Sequence, residues 1–224
     1  MSARAPDIRV RGQHMMAGAA LFGAVDIGLA AGQWTCVLGP SGVGKTTLLR
    51  LIAGLECAGE FEGEIVASDA RPIAGRVSFM AQTDLLLPWL TVRENTVLGA
   101  RLRGEAPDMA RAEAMIERVG LWAHRDKTPE ALSGGMRQRT ALARTLMEDR
   151  PMAFLDEPFS ALDPLIRTDM QNLLLELQVE LHCQLQARML YRRSRAHGYH
   201  FALPLSANGL CRTHGLVHSG LCRP

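Results

Sequence analysis

Short apolar and β-branched runs alternate along this chain with longer stretches in which apolar side chains return every third or fourth position. The first spacing suits strands and the second helices, and their alternation predicts an α/β fold. Ile8-Arg9-Val10-Arg11 alternates strictly and predicts an edge strand. Phe22 to Leu29 continues as strand or turn, and Ala30-Ala31-Gly32-Gln33 turns the chain into Trp34-Thr35-Cys36-Val37-Leu38, which reads as a buried parallel strand. Thr46 to Ala53 has the pattern of a helix ended by Gly54. Two further short strands follow, Gly63 to Ala67 and Gly75 to Met80.

From Pro88 the pattern turns helical. Thr91 is placed to cap a helix from Val92 to Arg103, and Pro107 and Asp108 open another through Val119, with Ala112, Met115, Ile116 and Val119 at helical spacing. A third helix runs from Arg139 to Met147. Strand character returns only at Met152-Ala153-Phe154-Leu155-Asp156, before a last helix from Arg167 to Leu181. The middle helices therefore form an insert between strands.

Composition narrows the class without naming it. The 224 residues are 47% hydrophobic, enough for one large domain or two small ones. A net charge of +2 gives no pull toward nucleic acid or anionic lipid. The five Cys are scattered, no apolar leader opens the chain at Met1 to Pro6, and no stretch has the apolar length of a transmembrane helix. The expectation is a soluble chain from a reducing compartment.

The chemistry concentrates at Gly39-Pro40-Ser41-Gly42-Val43-Gly44-Lys45-Thr46, which meets every fixed position of the phosphate-loop pattern G-x-x-x-x-G-K-[ST]. A strand before it and a helix after it aim backbone N–H groups and the positive end of a helix dipole at one point, as a polyphosphate requires. Lys45 is placed for the β- and γ-phosphates and Thr46 for Mg²⁺. Further on, a strand ends in Asp156-Glu157, with Asp156 suited to orient a metal's water shell and Glu157 to act as general base. The alternative for this pair is that the two acids cap the following helix. Between these motifs, Leu132-Ser133-Gly134-Gly135-Met136-Arg137-Gln138 puts a hydroxyl, glycine amides and a helix N-terminus together, a second anion-binding surface whose natural use is on a facing subunit.

The phosphate loop, Gln82, Leu132 to Gln138, Asp156-Glu157 and Ser160-Ala161-Leu162-Asp163, in that order, resemble the ATP-binding subunits of ABC transporters over about residues 7 to 180. The run Phe79 to Val92, with Pro88-Trp89-Leu90-Thr91-Val92, is similar to bacterial importers of nitrate, sulfonates, taurine and thiamine precursors. The resemblance implies a P-loop NTPase core of the ABC ATPase type, with an inserted α-helical subdomain at about 88–145 and a small antiparallel β subdomain at the N-terminus. The ATP-binding domain is expected over 1–183, followed by an atypical and poorly ordered tail over 184–224.

The implied ligands are ATP and Mg²⁺. Gly39, Pro40, Ser41, Gly42, Val43, Gly44, Lys45, Thr46 and Thr47 would bind the nucleotide, together with Ser133, Gly134 and Gly135 of the opposite subunit. Thr46, Gln82 and Asp156 would serve the metal, and Glu157, Lys45 and Gln82 the reaction. The implied partners are a second ATP-binding subunit, integral-membrane permease subunits and a periplasmic or lipid-anchored binding protein, with no nucleic acid. The implied location is peripheral, on the cytoplasmic face of the bacterial inner membrane. Leu86, Leu87 and Trp89 are candidates for a groove receiving a permease helix, with the packing of Trp89 inside the insert as the alternative.

Two departures from the family pattern bear on function. Gln13 to Gly18, where the family places an adenine-stacking aromatic, reads Gln-His-Met-Met-Ala-Gly, leaving His14 or a Met as a weaker face. After Leu181 the family continues into an apolar strand ending in a switch His, whereas here neither His182 nor His197 falls at the right place. From Leu181 to Pro224 there is no Asp, Glu or Lys, a break that points to a tail coded out of frame, and the missing switch His predicts slow turnover. Cys211, His214, His218 and Cys222 allow a zinc reading of that tail. The reading in competition with an active transport ATPase is a nucleotide-binding but hydrolysis-impaired module, and a soluble ABC ATPase acting on DNA or ribosomes stands third.

Overall fold

A computed structural model describes residues 5–33, 35–181, 184–188 and 200–202. Cys211, His214, His218 and Cys222, together with His182 and His197, lie outside the described residues. Among the described residues the strands form two sheets, and no helix is long and apolar enough to cross a membrane.

The smaller sheet is antiparallel, built from β1 (Ile8–Met16), β2 (Ala19–Leu29) and β4 (Glu60–Ala67) in the order β2-β1-β4. The edge position expected for Ile8 to Arg11 is therefore corrected: β1 pairs on both sides, with Val10 opposite Ile27 and Ile65. Alternation reports a strand with one polar face, and in an antiparallel sheet a central strand satisfies that as well as an edge strand does. Ile8 and Val10 are buried while Arg9 and Arg11 point outward to Asp26, whose carboxyl the Arg9 guanidinium holds down at about 2. Where Gly12 faces Gly63 the two backbones approach so closely that a Cβ on Gly12 would stand 2.3 Å from the Glu62 carbonyl oxygen.

The larger sheet has the order β5-β6-β7-β3-β8, with β3 (Thr35–Leu38), β5 (Val77–Met80), β6 (Met152–Asp156), β7 (Gln184–Arg188) and β8 (His200–Ala202). β5, β6, β7 and β3 pair in parallel and β8 joins antiparallel. β7 and β8 thus lie in the sheet although they follow residue 183, and polar–apolar alternation from Gln184 to Arg188 suffices for the parallel register of Ala187 with Cys36 and Leu155.

This sheet separates two cores. Met152 and Phe154 of β6 pack with Val37, Leu48 and Ile52 in one, and Ala153 and Leu155 with Leu142, Leu146 and Leu174 in the other. The alternation is the two-residue period of a strand buried on both faces, which is why β6 reads as a continuous apolar run. The first core is roofed by α1 (Lys45–Ile52) and the antiparallel sheet.

The helical insert comprises α2 (Val92–Thr96), α3 (Leu98–Leu102), α4 (Met109–Arg118) and α5 (Gly134–Met147); α2, α4 and α5 roof the second core together with α6 (Pro164–Leu181), which follows β6, while α3 buries no residue. Thr91 caps α2 through a full capping box, its hydroxyl accepting from the Glu94 amide while Glu94 Oε2 accepts from the Thr91 amide at 2.9 Å. The single helix expected from Val92 to Arg103 is instead two, broken at Val97. The Thr96 hydroxyl donates back to the Val92 carbonyl at 2.8 Å, and fully buried Asn95 bonds the backbone of Leu87, Leu90 and Thr91, so side chains here compete with the helical ladder. α4 follows its expectation, with Asp108 as cap and Ala112, Met115 and Ile116 inward.

Candidate nucleotide site

The parallel strands deliver their carboxyl ends to one edge of the larger sheet. β3 runs into Gly39, β5 into Gln82 and β6 into Asp156 and Glu157, so three separate motifs meet where loops leave an open α/β sheet. Within this edge Lys45, Asp156, Glu157 and Gln138 are all buried, at 2%, 1%, 6% and 5% exposure, a concentration of polar groups that a core tolerates only when they are bonded.

The phosphate loop is shaped by its glycines. Gly44 caps α1 in left-handed backbone, φ 91°, and a Cβ there would stand 2.9 Å from the Phe22 ring, so only glycine lets β2 approach the loop. A Cβ built at Gly42 meets nothing within 4 Å, which leaves the backbone bare on its outer side. The Lys45 ammonium donates to the carbonyls of Gly39, at 2.7 Å, and Pro40, bridging the loop from within. A bare, glycine-lined backbone at a helix N-terminus fits a polyphosphate, and the oxygens of Thr46, Gln82 and buried Asp156 are the hard donors that Mg²⁺ takes.

Gln82 and Glu157 touch directly, Gln82 Nε2 donating to Glu157 Oε2 at 3.2 Å. Glu157 stands in left-handed backbone, φ 53°, a conformation costly for a residue with a side chain and held here by its surroundings. Gln138 supplies much of that hold. Its Nε2 donates to the Glu157 carbonyl at 2.9 Å and to Ser160 Oγ at 3.0 Å, and its Oε1 accepts from the Ala161 amide at 2.9 Å. The sequence reading did not single out this role of Gln138, although a glutamine on the inner face of α5 was the available signal.

Ser133 caps α5, accepting from the Met136 amide at 3.2 Å. A Cβ at Gly134 would meet Ala161 and Arg137, and one at Gly135 the Ala161 carbonyl at 3.2 Å and Leu162, so among the described residues these glycines pack on the 161–162 turn and not on the phosphate loop of their own chain. The structure thus brings together Lys45, Gln82, Asp156 and Glu157 and leaves Ser133, Gly134 and Gly135 apart.

His14 does not offer a face to a nucleotide. Its ring is fully buried, stacked on Phe22 at 5.5 Å and bonded through Nε2 to the Ala58 carbonyl at 2.8 Å. Met16, at the end of β1, is 42% exposed. The three apolar residues considered for a permease groove separate: Leu86 is buried at 9% exposure, Leu87 is half-buried, and Trp89 is 71% exposed and does not pack inside the insert.

A family model described as ABC transporter matches residues 22–160. An uncharacterized ABC transporter ATP-binding protein of Haemophilus influenzae is 42% identical over 162 residues, covering 71% of this chain and 66% of its own length. The aliphatic sulfonates import ATP-binding protein SsuB 1 of Pseudomonas syringae is 43% identical over 171 residues, 76% of this chain and 68% of its own length. The taurine import ATP-binding protein TauB of Pseudomonas aeruginosa is 42% identical over 155 residues, 68% of this chain and 59% of its own length. The chain thus spans between 59% and 68% of the length of these relatives. Among solved structures, the dimeric post-hydrolysis state of the ATP-binding cassette MJ0796 bound to ADP and Pi superposes with a TM-score of 0.70 at 25% identity, over 81% of this chain and 87% of its own. With the family model covering most of the sequence and the motifs assembled at one sheet edge, the chain belongs to the ABC transporter family.

Proposed function

We propose that this chain binds and hydrolyses ATP and thereby powers import through an ABC permease. The observation that carries the reading is the meeting of phosphate loop, Gln82 and Asp156-Glu157 at one sheet edge, with Gln82 and Glu157 in hydrogen-bond contact. Backbone amides of residues 39–46 and the α1 N-terminus bind the phosphates, and the Lys45 ammonium exchanges its loop carbonyls for phosphate oxygens. Thr46, Asp156 and Gln82 would hold Mg²⁺, which when bound would neutralise charge on the phosphate oxygens. Glu157 orients the attacking water and takes its proton, with Gln82 holding the carboxylate through the hydrogen bond its Nε2 donates.

Ser133, Gly134 and Gly135, remote from their own phosphate loop, serve the nucleotide of a facing copy, so that two head-to-tail chains close two sites between them. The dimeric cassette in the structural comparison supports that pairing. Exposed Trp89 and Leu85, beside Gln82 in the chain, receive the permease from the cytoplasmic side of the bacterial inner membrane. Relatives named for aliphatic sulfonates and taurine point to sulfonates as cargo, selected by the permease and a binding protein rather than by this chain.

The second reading, a nucleotide-binding but slowly hydrolysing chain, is favoured by Gln184–Arg188, which fills the strand place after α6 without ending in the family's histidine. Steady-state Mg-ATP hydrolysis, with and without co-expressed permease, tests both. Turnover stimulated by the permease supports the transport ATPase, tight binding without turnover supports the impaired module, and absence of ATP binding rejects both.

A further inference from the structure

The bend that follows Gln82 is held from outside itself. Residues 83–87 form neither helix nor strand, and Leu85 adopts φ 47°, left-handed backbone that a branched side chain takes only where its neighbours impose it. The neighbour is α5. Arg144 donates from Nη1 to the Leu85 carbonyl at 2.7 Å and from Nη2 to the Asp84 carbonyl at 2.6 Å. About two helical turns earlier, Arg137 donates from Nε to Asp84 Oδ2 at 3.1 Å and from Nη1 to the Leu132 carbonyl at 2.9 Å. That spacing returns a side chain to the same helix face, so both guanidinium groups address one bend. Asp84 completes it, Oδ1 accepting from the Leu86 amide at 3.2 Å.

Beside Arg137 on the same helix, Gln138 reaches the other way, to the Glu157 carbonyl and Ser160. One helix therefore holds both the bend that begins two residues after Gln82 and the backbone of its partner Glu157, and that helix begins at the Ser133 cap. A surface ion pair would engage Asp84 alone. The fork of Arg144 on two successive carbonyls instead fixes the course of the backbone, which a charge pair by itself does not do.

We propose that Arg137 and Arg144 are positioning residues for ATP hydrolysis. They lock residues 84–85 to α5, so that the Gln82 amide meets the Glu157 carboxylate only in the orientation of α5 that presents Ser133 to Gly135 to the facing subunit. The inference rests on the roles given to Gln82 and Glu157 above.

The test uses the full chain, with steady-state Mg-ATP hydrolysis, titration of a fluorescent ATP analogue and thermal melting. Arg144→Gln is expected to lower kcat at least tenfold while KM and analogue affinity stay within about twofold, because the phosphate loop is untouched. Arg144→Lys is expected to recover only part of the loss, since one ammonium does not fork across two carbonyls. Asp84→Asn and Arg137→Gln are each expected to lower kcat about threefold, and the double variant no further than either. Should Arg144→Gln fail to fold, this pair decides the matter, their side chains being 33% and 38% exposed. Unchanged kcat in the clamp variants while Glu157→Gln abolishes turnover overturns the clamp alone. Parallel loss of kcat, affinity and thermal stability makes the arginines merely structural and also overturns it. Undiminished turnover in Glu157→Gln removes the reading on which it rests.

Discussion

The side-chain amide of Gln82 lies 3.2 Å from the carboxylate of Glu157, joining the loop after β5 to the end of β6. If Glu157 takes the proton of the attacking water, Glu157→Gln keeps the shape and the Gln82 contact but loses the base. Turnover relative to the parent chain is expected to fall about 10²- to 10⁴-fold with nucleotide affinity retained. Phosphate-release and binding assays on the same preparation check both halves.

Gln138 is a different kind of residue, since it bonds backbone and hydroxyl groups around Glu157 rather than the carboxylate. Gln138→Ala removes one of the two donors to the buried Glu157 carbonyl, the other being the Ser160 amide, and takes the acceptor from the part-buried Ala161 amide. The expected cost is about 1–3 kcal/mol of stability, with slower turnover as Glu157 relaxes from its left-handed backbone. Denaturant unfolding measures the first and the hydrolysis assay the second.

The Thr91–Glu94 capping box offers a prediction in pH. Hydrogen bonds from the Thr91 amide and hydroxyl hold the Glu94 carboxyl below its usual range. A carboxyl lowered on folding contributes stability above its unfolded-state pKa, and that contribution disappears as pH falls through the lower folded value. Thr91→Ala is expected to cost about 1 kcal/mol near neutral pH and less in acid, where the parent loses the same interaction. Unfolding curves across the acid range check the convergence.

Trp89 and Leu85 are exposed beside a loop that is otherwise tightly bonded. Trp89→Ala is expected to leave folding and the permease-free hydrolysis rate as they are, while weakening co-purification with the permease about tenfold or more. Pull-down from detergent extracts containing the permease reads that directly.

The sequence disclosed most where chemistry or burial leaves little choice of residue. Gly39 to Thr46 is legible because each glycine answers a backbone requirement, as the contact awaiting a Cβ at Gly44 shows. β6 is legible because both its faces are buried. The central place of β1 was not, since its partners are decided by β2 and β4, distant in sequence. The break at Val97 lies beside Asn95, whose side chain bonds the backbone of Leu87, Leu90 and Thr91, contacts that propensity does not register. His14 was misread as a candidate face although the two-residue period from Ile8 and Val10 already turns it inward. Arg137 and Arg144 were illegible for a simpler reason: their partners at 84 and 85 come near only once the insert has packed.

The central claim is that this chain binds a nucleotide by its triphosphate through the loop that Lys45 bridges. Titration of ATP into purified Lys45→Ala and parent chain tests it most directly. Removing a charge-assisted contact predicts a loss of affinity of about ten- to a hundredfold, with the fold retained by circular dichroism. Equal affinity in the two proteins would contradict the account.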